Sequence, residues 1–230
     1  MPIDRRPPRN RIVSVRRLIR NPGAALVLLW ANLAAVAAPC DSTASCLQAI
    51  EAAQRETKTV SARFVQTKHL NLLAEPLVSR GRFLFKRPDR IAWKVEEPQA
   101  VTVIIDAQGI HVPGMAARDR QALAMVPANA LSSQLGAMFS GTTSALEGEF
   151  AVTARDDGGA IRVHLVPRRE DTGRLFRTVD LLFPPPFRFV QQIMLEDAVG
   201  DRVEIALEDV RLNVDVPDTA FAVEDASSSP

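Results

Sequence analysis

Residues 79–98, SRGRFLFKRPDRIAWKVEEP, constrain the fold more than any other part of the chain, because they predict two strands of one sheet joined by a proline turn. Side chains alternate between the two faces of a strand. One face of the two strands is expected to be large and apolar, so a second sheet, helices or a ligand must cover it. Its residues are Phe83, Phe85, Ile91, Trp93 and Val95. The opposite face carries Arg82, Lys86 and Lys94 and is expected to be mostly cationic.

Arg87 lies at the end of this apolar row, where an aliphatic side chain would be expected. It precedes Pro88, and the residue before a proline is held extended, which fixes the direction of the side chain. A guanidinium offers five N–H donors in one plane, and at the end of an apolar row it needs hydrogen-bonded partners. We expect these partners to be backbone carbonyls of the segment that covers the apolar face. The alternative is an ion pair with a neighbouring acid.

The N-terminus is typical of a secretory signal. Residues 1–23 carry seven arginines and one acid, an apolar run follows at 24–38, and Ala35-Val36-Ala37 forms an A-x-A exit. We expect cleavage after Ala37, because a cut after Ala38 would leave proline at the new N-terminus. An uncleaved membrane anchor is the alternative, although the apolar run is shorter than the ~20 residues that span a bilayer. The sequence therefore predicts a signal peptide at 1–37 and a periplasmic protein.

Removal of this signal changes the charge of the chain. Of the 28 basic and 27 acidic residues, the first 37 positions hold seven and one, which leaves 21 and 26 and a net charge of −5. A mildly acidic protein lacks the electrostatic footprint of a nucleic-acid binder. About 190 residues suit one domain, which we place at 38–223, followed by a disordered tail at 224–230. We expect a monomer.

Two cysteines, Cys40 and Cys46, follow the predicted cleavage site. In an oxidising compartment such a close pair is more often a disulfide than two free thiols. Lipid attachment at Cys40 is the alternative, and Pro39 directly before it fits poorly with the small residue that such processing needs. We therefore expect a disulfide that holds the start of the first helix.

The remaining pattern predicts an α+β protein with about ten to eleven strands in meander order. A helix is expected at 45–58, with Ser45 as its N-cap, and strands at 60–70, 101–106 and from 150 onward. Residues 184–186 are prolines and predict a sheet edge or a break. A second helix is expected at 127–140, with one apolar face formed by Leu131, Leu135, Met138 and Phe139.

No catalytic pattern stands out. The three histidines, His69, His111 and His164, are scattered and lack metal-ligand spacing. The chain has no nucleophile elbow, phosphate loop or dinucleotide fingerprint. We expect no cofactor, no metal and no enzymatic activity.

Several ordered motifs resemble those of the periplasmic outer-membrane lipoprotein carrier family, LolA. The resemblance covers about residues 45–115, and it rests on FVQ at 64–66, GRF at 81–83 and KRP at 86–88, followed by Trp93 and Pro98. It implies an unclosed, strongly curved antiparallel β-barrel whose concave face is covered by a helical lid and holds acyl chains. It also implies that Arg87 is a latch that hydrogen-bonds to the lid and must release when lipid enters.

The family's partners follow from the same resemblance: an acylated lipoprotein cargo, an inner-membrane transporter as donor and an outer-membrane receptor as acceptor. The apolar segment at 70–80 and the three prolines depart from the main carriers. A dedicated carrier of another lipid, glycolipid or polyene-type export cargo is therefore the second hypothesis. A lipoprotein-sensing regulatory protein is a third, although it would normally need a second domain.

Overall fold

In the part of the chain that the structure describes, ten antiparallel strands form one sheet. The computed structural model describes residues 40–113, 143–174 and 176–222. In chain order the strands are β1 Thr59–His69, β2 Leu77–Lys86, β3 Arg90–Glu97, β4 Val101–Asp106, β5 Gly109–His111, β6 Phe150–Asp157, β7 Ala160–Pro167, β8 Thr178–Phe183, β9 Gln192–Glu196 and β10 Arg202–Leu212. The predicted signal peptide, the helix expected at 127–140 and the tail lie outside the described residues.

The spatial order of the strands is β5-β4-β3-β2-β1-β10-β9-β8-β7-β6. Two meanders, which we call the first wing (β1–β5) and the second wing (β6–β10), therefore meet where β1 pairs with β10. Strands β5 and β6 are the two edges, so the sheet does not close. The fold is the expected unclosed, curved antiparallel barrel.

The strand register confirms the apolar row of β2 and β3. Phe83 lies opposite Trp93, and Phe85 lies opposite Ile91. Gly81 continues this row, opposite Val95, at a shift in the register of the two strands. A Cβ atom at Gly81 would lie 2.0 Å from the carbonyl oxygen of Lys94 and 2.9 Å from the Phe64 ring. Only glycine therefore permits this approach of the two strands beneath Phe64.

The first helix, α1, spans Thr43–Gln54. The sequence predicts Ser45 as its N-cap, but Ser42 is the cap. The Ser42 hydroxyl accepts from the Ser45 N–H at 3.2 Å, and the Ser45 hydroxyl accepts from the Ser42 N–H at 3.0 Å. The predicted N-cap lies one helical turn after the observed one, because both serines of a capping box can act as caps. The expected disulfide between Cys40 and Cys46 is present.

Three further short helices were not expected from the sequence: α2 Thr143–Glu149, α3 Glu170–Gly173 and a 3₁₀ helix at Asp218–Phe221. Each is too short to show a helical repeat of apolar residues. The expected break at the three prolines is confirmed, since β8 ends at Phe183 and β9 begins only at Gln192. None of the helices in the described ranges combines the length and hydropathy needed to cross a bilayer.

The outer face of β2 and β3 is less cationic than the sequence predicts. A second apolar cluster buries Ala92 and Ile104 beneath Val216 and Phe221. Side-chain alternation could not reveal this cover, because the covering segment is distant in the chain.

Lys86, one of the predicted cations, and Arg90, which was expected only in the turn, hold that covering segment in place. Lys86 Nζ donates to the Val216 carbonyl at 2.9 Å and to Asp218 Oδ1 at 2.6 Å. The Arg90 guanidinium lies 5.4 Å from the centre of the Phe221 ring. We call residues 216–221 the C-terminal clasp.

Candidate functional site

The concave face of the sheet is apolar across both wings. Phe83 and Phe85 are fully buried and Ile91 is 2% exposed, while Trp93 and Val95 are half-buried beside them. The five predicted face residues in the described ranges thus come together. The apolar surface continues on the second wing through Phe150, Ile161, Val163, Leu165, Leu181, Ile193 and Leu207.

An aromatic cluster marks the middle of the first wing. The Trp93 ring stacks on Phe64 with 4.1 Å between ring centroids, and it meets the edge of Phe83 at 5.8 Å. Phe64 was not predicted as a face residue. Its alternation with Val60 and Ala62 along β1 was the signal that could have identified it.

Helix α1 lies across this face and joins the two wings. Its buried side, Cys46, Leu47 and Ile50, belongs to the same apolar core as both wings. At its N-terminal end, the Thr43 hydroxyl accepts from the Ala154 N–H at 3.1 Å and donates to the Ala154 carbonyl at 3.3 Å. This end is therefore bound to β6, on the second wing.

Arg87 binds the other end of the helix. Its Nε donates to the Thr57 carbonyl and its Nη2 to the Gln54 carbonyl, both at 2.7 Å. Its backbone N–H also donates to the Lys58 carbonyl at 2.9 Å. Carbonyls at a helix C-terminus carry partial negative charge, so a guanidinium there makes charge-assisted hydrogen bonds. The C-terminal end of α1 is thereby held by the β2–β3 turn of the first wing.

The second wing also contacts this helix end, through the β8–β9 loop and through the residue that follows β10. Arg188 Nη2 donates to the Glu56 carbonyl at 3.3 Å, and the Thr57 hydroxyl donates to the Arg188 carbonyl at 3.1 Å. Asn213 Nδ2 reaches the same Glu56 carbonyl at 3.0 Å. These contacts could not be predicted from the sequence, because backbone acceptors after a helix have no residue signature.

The predicted lid residues Leu131, Leu135, Met138 and Phe139 lie outside the described residues. The partners described for Arg87 include carbonyls at the end of α1 and in the connection to β1. We use the term latch for Arg87 with its acceptors, the Gln54 and Thr57 carbonyls.

Polar chemistry is sparse around the concave face. Within residues 40–113, 143–174 and 176–222, no group of three His, Cys, Asp or Glu side chains could hold a metal ion. His111 contacts Asp106 and His164 contacts Asp180, each at 3.1 Å, and these pairs lie on different wings. What the described residues offer is an apolar face with helix α1 across it, held by hydrogen bonds at both ends.

Comparison with known proteins agrees with this geometry. The sequence model of a family described as "Outer membrane lipoprotein carrier protein LolA" matches residues 55–224. An outer-membrane lipoprotein carrier protein of Pseudomonas aeruginosa is 26% identical over 199 residues, which cover 86% of this chain and 89% of that protein. The protein of that name from Chromohalobacter salexigens is 26% identical over 147 residues, covering 64% and 67%.

Among solved structures, a LolA superfamily protein from Nitrosomonas europaea covers 80% of this chain and 98% of its own, with 13% identity and a TM-score of 0.44. The family match spans most of the chain, from the end of α1 to beyond the 3₁₀ helix. It therefore includes the aromatic cluster, the latch arginine and both wings. The chain belongs to the outer-membrane lipoprotein carrier family, LolA, as a divergent member.

Proposed function

We propose that this protein carries acylated cargo through the periplasm toward the outer membrane, with the acyl chains held against the concave face. The observation that supports the proposal is the apolar face that runs across both wings beneath α1. Membership of a family of periplasmic lipoprotein carriers favours a lipoprotein as the cargo. In this proposal the donor is an inner-membrane transporter and the acceptor an outer-membrane receptor.

The physical need for such a face is simple. An acyl chain in water costs about 0.8 kcal/mol for each exposed methylene. A carrier must cover that surface and later give the chain up. If hydrogen bonds hold the segment over the apolar face, the face can take up the acyl chain and later release it without covalent chemistry.

Arg87 is the residue that regulates access in this proposal. Its two short hydrogen bonds to carbonyls each contribute about 1.5–3 kcal/mol, as bonds to charged groups do. The free energy lost when both hydrogen bonds break equals the free energy gained by burying roughly four to eight methylenes at ~0.8 kcal/mol each. A long acyl chain provides more than that, so cargo entry can open the latch, and re-formation of the latch favours release.

The test is to purify the exported protein after co-expression with a lipoprotein and to identify what co-purifies by mass spectrometry. The matched control is the same lipoprotein with its acylated cysteine replaced by serine. We expect the acylated form alone to co-purify. Recovery of a glycolipid or another lipid in its place would point to a dedicated carrier of that cargo. Equal recovery of both lipoprotein forms, or of no apolar molecule, would contradict the proposal.

A further inference from the structure

Three polar side chains interrupt the apolar concave face of the first wing. Gln66 and Lys68 lie on the same face of β1 as Phe64, because side chains two residues apart along a strand share a face. On β2, Ser79 lies directly opposite Gln66, and Leu77 lies opposite Lys68. We call Gln66, Lys68 and Ser79 the polar patch.

The neighbours of the polar patch on this face are apolar. On β10, Ile205 lies opposite Gln66 and Val203 lies opposite Lys68. Ile205 packs against the main apolar core, to which both wings contribute. The polar patch thus lies within the face that the proposed function assigns to acyl chains.

The side chains of the polar patch are half-buried and lack partners. All three are intermediate in exposure. Within the described part of the chain, none of them makes a side-chain hydrogen bond or an ion pair, and this includes Gln66 and Ser79, which face each other across two strands. Ligand sites are mostly apolar, with a few polar groups that fix the orientation of the ligand. The polar patch has this composition.

Net charge does not select an anion for the polar patch. Glu204 lies opposite Thr67 on the outer face, and its carboxylate is 3.9 Å from His69. Glu75 is exposed in the β1–β2 loop, and further acids lie in the β9–β10 loop. What the three side chains share is the ability to donate hydrogen bonds: an ammonium has three donors, a primary amide two and a hydroxyl one.

We propose that the polar patch binds the ester or amide carbonyl oxygens with which the acyl chains of the cargo begin. This inference rests on the proposed carrier function and adds to it the site for the polar end of the chains. A carbonyl oxygen accepts hydrogen bonds from all three side chains. It carries no full charge, so the acids at this end of the sheet do not repel it as they would a phosphate.

The length of an acyl chain fits the distance from the polar patch to the aromatic cluster. A strand advances ~3.3 Å per residue, so Gln66 lies about 7 Å and Lys68 about 13 Å beyond Phe64. One extended acyl chain spans half of the ~30 Å hydrocarbon core of a bilayer, about 15 Å. A chain that begins at the polar patch therefore extends across the aromatic cluster toward the latch, which lies beside the start of β1. The rest of the cargo leaves the face at the opposite end.

The experiment compares an ester-linked lipid with its ether analogue. Palmitoyl lysophosphatidylcholine and hexadecyl lysophosphatidylcholine share chain length and headgroup and differ only in a carbonyl that the ether replaces by a methylene. The exported protein is titrated with each lipid below its micelle concentration, and calorimetry gives the two Kd values. The readout is the Kd of the ether divided by the Kd of the ester, because contributions of the phosphate and of the apolar face cancel in this ratio.

Variants that remove the donors should change this ratio. We expect Gln66→Leu combined with Lys68→Met to lower it about fivefold or more, the effect of losing one hydrogen bond or two. Lys68→Met alone and Ser79→Ala alone keep the size of the side chain nearly unchanged and should lower the ratio by a smaller factor. The matched control is Thr67→Val, because Thr67 lies between the two β1 residues and points to the outer face. Its ratio should equal that of wild type. Melting temperatures show that each variant is folded.

The outcomes separate the polar patch from the carrier function. If wild type and all patch variants bind both lipids with one and the same ratio, the polar patch is refuted and the carrier function stands. If wild type binds neither lipid, both proposals are contradicted. Equal losses for ester and ether in Lys68→Met would show that the amine binds the phosphate, which would overturn its assignment to the carbonyl. A ratio that falls equally in Thr67→Val would show an effect that does not depend on the concave face.

Discussion

Arg87 connects parts of the chain that lie 30 and 33 residues before it, the carbonyls of Thr57 and Gln54. Its position at the end of an apolar row could be predicted from alternation, because the period of a strand is short and regular. Its acceptors could not, because they are backbone atoms whose position depends on where α1 ends. Alternation along β1 also places Phe64 on the apolar face, but the packing of its ring over Gly81 could not be predicted, because it depends on the pairing of β1 with β2.

Replacing Arg87 by leucine should leave the protein folded and alter cargo handling. Without the guanidinium, the end of α1 is released more easily from the β2–β3 turn, so we expect cargo to load and to transfer poorly. Loading of acylated cargo and transfer to acceptor membranes measure the two steps. The matched control is Arg82→Leu, because Arg82 is an exposed arginine that pairs with Glu96 on the outer face. Identical loading and transfer in the two variants would refute the latch.

At the scale of elements, long alternating strands were predictable and short covering elements were not. The strands expected from residue 150 onward are present as β6 to β10, because their side chains alternate regularly between two faces. The C-terminal clasp escaped prediction, since four residues of 3₁₀ helix carry no periodicity. Yet this clasp covers the outer face of the hairpin whose turn carries Arg87. The hairpin is thus held from both faces.

The clasp contains a carboxylate, Asp218, whose pKa its neighbours lower. The hydrogen bond from Lys86, and then the charge of Arg90, hold the pKa of Asp218 below its ordinary value of 3.8. A lowered carboxylate pKa stabilises the folded state above the ordinary value, and that contribution is lost as the pH falls through the lowered pKa. We expect the melting temperature of Asp218→Asn to be lower than that of wild type by a constant amount above pH 5, and the difference to shrink in stronger acid.

Asp215→Asn is the control for this experiment, because it removes a neighbouring carboxylate from outside the clasp. Hydrogen exchange of residues 216–221 shows whether the clasp itself has loosened. A difference in melting temperature that grows as the pH falls would have the wrong sign and would refute this role of Asp218.

At the scale of the whole molecule, the pairing of β1 with β10 decides the architecture. It brings the two wings together and leaves β5 and β6 as edges. Local sequence patterns cannot reveal a pairing between strands more than a hundred residues apart, and here the family resemblance supplied the expectation of an open barrel. The extent of the apolar face on the second wing follows from this pairing.

Trp93 should report on occupancy of that face. Its indole lies between Phe64 and Phe83, so an acyl chain against the cluster should change its emission. Titration of the exported protein with a lysophospholipid, followed by tryptophan fluorescence, measures the effect. Trp93→Phe keeps an aromatic ring in the cluster but removes the indole. If the change in emission is lost in this variant, it is assigned to Trp93. Emission that stays constant at saturating lipid would show that cargo does not reach the first wing.

The attachment of α1 at both ends has a kinetic consequence. If the Arg87 contacts break, the hydroxyl of Thr43 still holds the helix to Ala154. At the other end, Glu56 and Thr57 remain bound to Arg188 and Asn213, and the short connection to β1 keeps the released carbonyls close to Arg87. Rebinding is therefore intramolecular, and its effective concentration is far above that of any separate molecule in solution. If the protein is the proposed carrier, the latch can therefore re-form as soon as cargo leaves the apolar face.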